Sequence, residues 1–242
     1  KFININPHTF DSEEFLKEFK KKLPKDIFDQ GYILGLSDEN LSGDIYTGLE
    51  SRELMLRVRK CFNDATILIV IRNQVDYVLS SYSNYVLHGG TKSLKNWIEG
   101  PSTRFGQIIE KLHYSFLIFE YIKIFGKNNV KVLTYEELFD QKNGFPSIFR
   151  SMGLEYIETK QSKVNKGRSL TGNRFFSMMN FFEIYKIRGI QRIFDIFQDN
   201  QKDRLIVKKI MYKHLSSFDE DNKLIENKLR IKLPSEYKNN TY

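Results

Sequence analysis

Two hydrogen-bond donors, an arginine and a serine, stand at the junction of a predicted strand and a predicted helix. Arg72 follows the apolar segment Thr66–Ile71, and Ser80 lies two turns into the helix that begins after Asn73. A guanidinium can donate two parallel hydrogen bonds to a phosphate, and a hydroxyl can donate a third. The amides and the dipole of a helix N-terminus also favour an anion. The pattern predicts a phosphate site; the structural alternative is an Arg72–Asp76 ion pair and a serine that packs.

A basic loop, Asn165–Ser169, is the second candidate anion site. Lys166 and Arg168 flank Gly167, which has no side chain and therefore lets the backbone approach a ligand closely. An ordinary basic turn has the same composition, so the loop alone does not decide between the two interpretations.

Two residues are candidates for the general base of a transfer reaction. Glu39 closely follows Tyr32–Leu36, a short apolar segment that is a predicted strand. A carboxylate at the carboxyl end of a strand can accept a proton. His88, in the loop after the predicted helix, is the second candidate. The structural alternatives are a solvated loop acid or helix cap for Glu39 and an exposed loop histidine for His88.

Predicted strands that alternate with long predicted helices must position these residues. This order of elements predicts an α/β fold with a mainly parallel sheet flanked by helices. Ligands of such sheets bind at the carboxyl ends of the strands. Thr66–Ile71 is apolar at successive positions, as in a strand buried on both faces. Val130–Thr134 is the next predicted strand. One helix is predicted to begin after Asp11, another passes through Ile148, and helices fill most of the chain from Arg174. Three further predicted helices cover Arg52–Phe62, Val75–Val86 and Arg104–Phe125. The last of these is expected to bury Phe116 and to have Gly126 as its C-cap.

Composition limits the classes of protein that fit. The chain has 242 residues and no repeat or linker, so we expect a single domain over residues 1–242. One cysteine, Cys61, and four scattered histidines exclude a disulfide framework and argue against a metal site. The apolar runs are far shorter than the roughly 20 residues of a membrane helix, so we expect no transmembrane segment. The net charge of +8 fits an anionic partner and equally a charge that serves solubility, and the dispersed cations argue against nucleic acid.

The segment Gly89–Ser93 is superficially similar to a phosphate-binding Walker A loop. It fails that pattern, because Thr91 separates the glycine from the lysine and no glycine stands at the upstream position. It also comes after a predicted helix, whereas a Walker A loop comes after a strand. The segment therefore gives no support to an ATP-dependent kinase.

Taken together, these segments resemble the sulfotransferases that use 3′-phosphoadenosine 5′-phosphosulfate (PAPS). Ile69–Tyr82 is similar to the strand–helix motif of that family, R-N-P-x-D-x-x-x-S-x-Y, with Gln74 in place of the proline. Val132–Leu138 is similar to a strand that ends in Y-E-D-L, and Lys166–Arg168 to a basic K-G-R or R-K-G loop. The ending, Asp221–Tyr237, is similar to the tails of bacterial members. The resemblance covers roughly residues 30–240.

The resemblance implies a P-loop-like sulfotransferase fold and transfer of a sulfuryl group from PAPS to a hydroxyl or amine. A glycan is the expected acceptor, and 3′-phosphoadenosine 5′-phosphate (PAP) is the product. Catalysis of such transfers rests mostly on positioning and charge stabilisation, as in phosphoryl transfer, and no metal is required. By the resemblance, Glu39 is the general base, Tyr135 contacts adenine, and the residues that hold the 3′-phosphate are Arg72, Ser80, Lys166, Gly167 and Arg168.

Members of that family open with a strand and a phosphosulfate-binding segment, K-x-G-T-T, which is not present after Lys1. In the family a helix comes after that segment, and the predicted helix after Asp11 fits this helix. We therefore expect the phosphosulfate-binding segment to lie upstream of Lys1. Richness in lysine, asparagine and isoleucine favours a bacterial, cytoplasmic enzyme; a eukaryotic one would act in the Golgi lumen.

Two other functions remain as alternatives. One is a P-loop nucleotide kinase, disfavoured by the missing Walker lysine and Mg²⁺ ligands, and the other is a non-catalytic polyanion-binding module. The oligomeric state stays open.

Overall fold

The computed structural model describes residues 7–24, 33–43, 50–100, 108–138, 144–151, 155, 173–174, 177 and 200–238. Over these ranges the chain is mostly helical with one small parallel sheet of two strands, so the architecture is α/β. The strands are β1 (Ile67–Ile71) and β2 (Val130–Thr134). The helices are α1 (Ser12–Lys20), α2 (Ser51–Cys61), α3 (Gln74–Leu87), α4 (Leu94–Glu99), α5 (Ile108–Lys111), α6 (Tyr114–Phe125), α7 (Tyr135–Leu138), α8 (Phe145–Ser151), α9 (Asn200–Ile210) and α10 (Tyr212–Leu229).

Contacts divide the chain into two compact units. The first comprises Lys1–Ile69 and Phe116–Val132, and the second comprises Val70–Ser115 and Leu133–Tyr242. Both strands pass from the first unit into the second, so the carboxyl ends of β1 and β2 belong to the second unit. The single domain expected from the sequence stays a prediction. In the part of the chain described, no helix combines the length and the apolarity needed to cross a membrane.

The first unit contains α1 packed against α2. The carboxylate of Asp11 accepts hydrogen bonds from the backbone amides of Glu13 and Glu14, at 2.8 and 2.9 Å, and so caps α1. The helix start predicted after Asp11 is therefore confirmed. Phe19 of α1 meets Phe62, at the end of α2, edge to face, with ring centroids 5.8 Å apart. Aromatic contacts of this geometry hold the two helices together.

Strand β1 lies where the sequence predicted a strand, but its burial differs. Ile69 and Ile71 are buried, whereas Leu68 and Val70 are 39 % and 42 % exposed. The prediction of a strand buried on both faces is therefore wrong. Successive side chains of a strand point to opposite faces, so this alternation means that one face of β1 is covered and the other is not. An unbroken apolar run does not reveal whether a second layer covers the sheet.

The predicted strand Tyr32–Leu36 is wrong over the four of its residues that the structure describes. Residues 33–38 form neither helix nor strand, and the side chains of Ile33 and Leu36 are 56 % and 52 % exposed. A short segment with a glycine at Gly35 gains too little burial to offset the ordering of its backbone as a strand. Glu39, expected to follow that strand, instead begins the 3₁₀ turn Glu39–Ser42.

The predicted helix Arg104–Phe125 is divided in the structure. Residues 104–107 lie outside the described ranges, and Leu112 and His113 separate α5 from α6. The reason lies far along the chain, on α10. The Asp221 carboxylate accepts hydrogen bonds from the backbone amide of Ser115, at 3.2 Å, and from its hydroxyl. A carboxylate that takes up the free amides of a helix start caps that helix, so α6 begins anew there.

The new start also changes which side of α6 is buried. Phe116, predicted to be buried, is 71 % exposed, and Ile118, Tyr121 and Phe125 are buried instead. The helix ends as predicted at Gly126, whose φ of 85° and ψ of 148° are readily adopted only by glycine. The end of this helix was thus predictable from local sequence, whereas its beginning was not.

The second unit is organised around α3, which packs against α9. Asp76 in the first turn of α3 forms a salt bridge with Arg204 of α9, with 3.1 Å between Oδ2 and Nη1. The strand β2 and the helix through Ile148 are confirmed, as are helices over residues 200–229. The buried side chains of α3 are Gln74, Val75, Val78, Tyr82 and Val86.

A buried amide pair joins α3 to α10. Nε2 of Gln74 donates to Oδ1 of Asn222 at 2.9 Å, and Nδ2 of Asn222 donates to the backbone oxygen of Tyr237 at 2.8 Å. Gln74, where the sulfotransferase motif has a proline, is fully buried. Its side chain therefore contributes a tertiary hydrogen bond that a proline could not make.

Replacing Gln74 with Met tests this pair. The thioether keeps the length of the side chain but leaves Oδ1 of Asn222 without its donor, which should lower the free energy of unfolding by about 1–3 kcal/mol. The same replacement at Gln201, exposed on α9, should change it by less than about 0.5 kcal/mol. Urea denaturation of both variants measures the difference; equal values would show that the buried pair does not stabilise the fold.

Candidate anion-binding site

The carboxyl ends of β1 and β2 bring together two residues from separate sequence motifs. Arg72 directly follows β1, and Tyr135 directly follows β2. Because the two strands are parallel neighbours, both residues emerge at the same edge of the sheet. The guanidinium carbon of Arg72 lies over the ring of Tyr135, 4.7 Å from its centroid, in a cation–π contact.

The Arg72 side chain is half-buried. Within the residues that the structure describes, no carboxylate forms a salt bridge with it, and Asp76, its expected partner in the structural alternative, pairs with Arg204. A cation–π contact does not neutralise a guanidinium, so the part of the chain that the structure describes leaves this charge to be balanced by a ligand or by solvent. An arginine in this state is suited to bind an anion with forked hydrogen bonds.

Two buried tyrosines hold the turn that carries Arg72. The Tyr114 hydroxyl donates to the backbone oxygen of Arg72 at 2.7 Å, and the Tyr237 hydroxyl donates to that of Ile71 at 3.1 Å. Burial is the main reason that the pKa of each phenol is raised well above its ordinary value. Both hydroxyls therefore keep their protons at neutral pH and can donate.

The side chain of Asn73 caps the N-terminus of α3. Its Oδ1 accepts from the amides of Val75 and Asp76, at 3.0 and 3.3 Å, and its Nδ2 donates to the backbone oxygen of Glu236. Two amides that the sequence offered to an anion are thus already bonded, so an anion here must be held chiefly by side chains. The sequence could have predicted this cap, because asparagine is one of the residues preferred at a helix N-cap.

A capping box places Tyr135 at the start of α7. The Thr134 amide and hydroxyl donate to Oε2 of Glu137, at 2.8 and 3.0 Å, while the Glu137 amide donates to the Thr134 hydroxyl at 3.2 Å. The spacing T-x-x-E is a known signature of a helix start. It fixes the backbone on which Tyr135, 39 % exposed, presents its ring to Arg72.

Ser80, the predicted partner of Arg72, is exposed on the side of α3 away from its buried residues. It lies four positions after Asp76, so the two are neighbours on the helix surface. A phosphate at Ser80 would therefore lie beside the Asp76–Arg204 ion pair. The remaining predicted phosphate ligands, Lys166, Gly167 and Arg168, lie outside the described residues.

The two candidate general bases are placed differently. The structure describes only the backbone of Glu39, in its 3₁₀ turn. His88 is exposed at the end of α3, with Nδ1 2.8 Å from the backbone oxygen of Asn84. Gly89 comes shortly after α3, which confirms that this segment is preceded by a helix. Among the described residues, no group of three or more histidine, cysteine or acidic side chains could hold a metal ion.

Substitutions at two neighbouring residues distinguish an arginine that binds a ligand, Arg72, from an asparagine that stabilises the fold, Asn73. Arg72→Ala removes a half-buried side chain to which the described residues give no salt bridge, so the free energy of unfolding should fall by less than about 1 kcal/mol. Asn73→Ala removes a cap and a buried tertiary donor, and should cost about 1–3 kcal/mol. Chemical denaturation compares the two. A larger loss for Arg72→Ala would mean that this arginine chiefly stabilises the fold.

No protein-family model matches the chain, and neither a curated protein nor a solved structure matches it. The assignment of this region therefore rests on its own geometry. That geometry is a charged guanidinium stacked on a tyrosine, presented by a hydrogen-bonded turn at the carboxyl edge of a parallel sheet.

Proposed function

We propose that the chain is a PAPS-dependent sulfotransferase with a P-loop-like fold, which transfers a sulfuryl group to a hydroxyl or amine of an acceptor, expected to be a glycan. The observation that carries the proposal is the contact between Arg72 and Tyr135. The resemblance to the sulfotransferases assigns these residues to one nucleotide through two motifs far apart in the chain. Their contact supports the proposal because one nucleotide presents a phosphate and an aromatic base close together.

In the proposed complex, the charge of Arg72 neutralises the 3′-phosphate and the Ser80 hydroxyl donates to it. The Tyr135 ring lies beside the adenine. The loop residues Lys166, Gly167 and Arg168 add charge and close backbone approach to the same phosphate. A dianion gains most from a forked donor held in place before binding, since little conformational freedom is then lost on association.

In the proposed reaction, the acceptor oxygen or nitrogen bonds to sulfur as the bond from sulfur to the bridging oxygen of PAPS breaks. The acceptor proton passes to Glu39, and PAP leaves with the bridging oxygen. Because the transferred group passes through a loose, in-line transition state, the residues act chiefly by alignment and charge stabilisation.

Ligand-dependent unfolding tests the cofactor assignment. PAP at a hundred times its Kd should stabilise the wild-type chain by about 2.7 kcal/mol. Arg72→Ala should lose most of this effect, whereas Arg150→Ala, which removes an exposed arginine from α8, should retain it. Stabilisation by ATP with Mg²⁺ instead of PAP would favour a kinase. Equal effects of heparin, DNA and PAP would favour a polyanion-binding module.

Transfer of labelled sulfate from PAPS to a panel of glycans tests the base. In the full-length enzyme, Glu39→Gln should lower kcat by about 10²–10⁴ while PAP affinity persists, because the amide cannot accept the acceptor proton. His88→Gln is the parallel variant. Unchanged turnover in Glu39→Gln together with a loss in His88→Gln would transfer the role of base to the histidine.

A further inference from the structure

We propose that Tyr237, near the C-terminus, is a positioning residue that sets the distance between Arg72 and Tyr135. Its phenol oxygen lies 3.1 Å from the backbone oxygen of Ile71 and 3.0 Å from Oε2 of Glu136. Ile71 immediately precedes Arg72, and Glu136 immediately follows Tyr135. One hydroxyl thus lies between the backbone oxygen of the residue before Arg72 and the side-chain carboxylate of the residue after Tyr135.

Tyr237 is itself fixed. Its side chain is 1 % exposed, and it ends the 3₁₀ turn Ser235–Tyr237. Its backbone oxygen accepts from Nδ2 of Asn222, and the oxygen of the preceding Glu236 accepts from Nδ2 of Asn73. Because these hydrogen bonds hold the backbone of Tyr237, its hydroxyl does not move freely with the groups to which it bonds. It can therefore restrain those groups.

The hydroxyl has one proton and two acceptors, the Ile71 carbonyl and the Glu136 carboxylate. Its loss would take this shared donor from both and remove one of the contacts between the end of β1 and the side chain of Glu136 in α7. The ring of Tyr135 would then be less restrained relative to the guanidinium of Arg72. A site loosened in this way binds an anion less tightly, because its groups must then become ordered on binding.

The contacts that carry the inference, those of Tyr237 with Ile71 and Glu136, do not depend on which anion binds, although the choice of PAP as probe rests on the proposed function. Tyr237→Phe removes only the hydroxyl. We expect PAP to bind about tenfold more weakly, the effect of one well-placed hydrogen bond. The matched control is Tyr121→Phe, which removes a hydroxyl that donates to the Leu41 backbone oxygen at 3.1 Å in the first unit, and its PAP affinity should equal that of the wild type.

A double-mutant cycle distinguishes positioning from general destabilisation. Arg72→Lys keeps the charge but loses the forked donor and the planar group that stacks. If Tyr237 acts through Arg72, adding Tyr237→Phe to Arg72→Lys should weaken PAP binding by less than about twofold, since coupled residues are not additive. A full tenfold further loss in the double variant would overturn the proposal.

A measurement without nucleotide keeps the inference separate from the proposed function. Phenylglyoxal modifies exposed guanidinium groups, and peptide mass mapping gives the rate at each arginine. Arg72 should react faster in Tyr237→Phe than in the wild type or Tyr121→Phe, while Arg150 reacts equally in all three. An unchanged Arg72 rate would overturn the positioning role. Absence of PAP binding to the wild type, with a raised Arg72 rate in Tyr237→Phe, would instead refute the nucleotide assignment alone.

Discussion

The second unit depends on hydrogen bonds that distant residues donate to the turn after β1. A strand that ends at a sheet edge leaves backbone carbonyls in need of donors, and an unpaired buried group costs about 1–3 kcal/mol. Tyr114 donates to the carbonyl of Arg72, and Tyr237 shares its proton between the carbonyl of Ile71 and the carboxylate of Glu136. Asn222 pairs with the side chain of Gln74, the next residue but one after Arg72. The turn is therefore held by α6, α10 and the C-terminal segment at once.

Because hydrogen bonds from distant residues hold the turn after β1, adjacent residues in this turn have different roles. Ile71, Asn73 and Gln74 are buried and engaged in tertiary contacts, whereas Arg72 between them is half-buried and directs its charge to the Tyr135 ring. A residue that binds a ligand must retain an unsatisfied group, and the structure around it must supply the rigidity. One half-buried arginine among three buried residues meets both requirements.

Long-range contacts also account for the failed predictions. The helix expected over Arg104–Phe125 is divided because Asp221, from α10, caps a new helix at Ser115. Burial raises the pKa of that carboxyl, while the bonds from Ser115 act in the opposite direction. The exposed Leu68 and Val70 of β1 likewise depend on which face is covered, a property of the packing and not of the strand's own residues. Neither the division of the helix nor the exposure of Leu68 and Val70 could be predicted from residues nearby in the sequence.

The sequence by itself determined the features whose physical cause is local. These include the cap of α1 at Asp11, the glycine that ends α6, the positions of β1 and β2, and the placement of Arg72 and Tyr135 after two strands. Only the tertiary structure decided which groups satisfy the turn after β1, where α6 begins, and that Tyr237 bonds on both sides of the stacked pair. The reason is that a cap or a turn is stabilised by neighbours within a few residues, whereas a buried polar group is stabilised by whichever partner the folded chain brings to it.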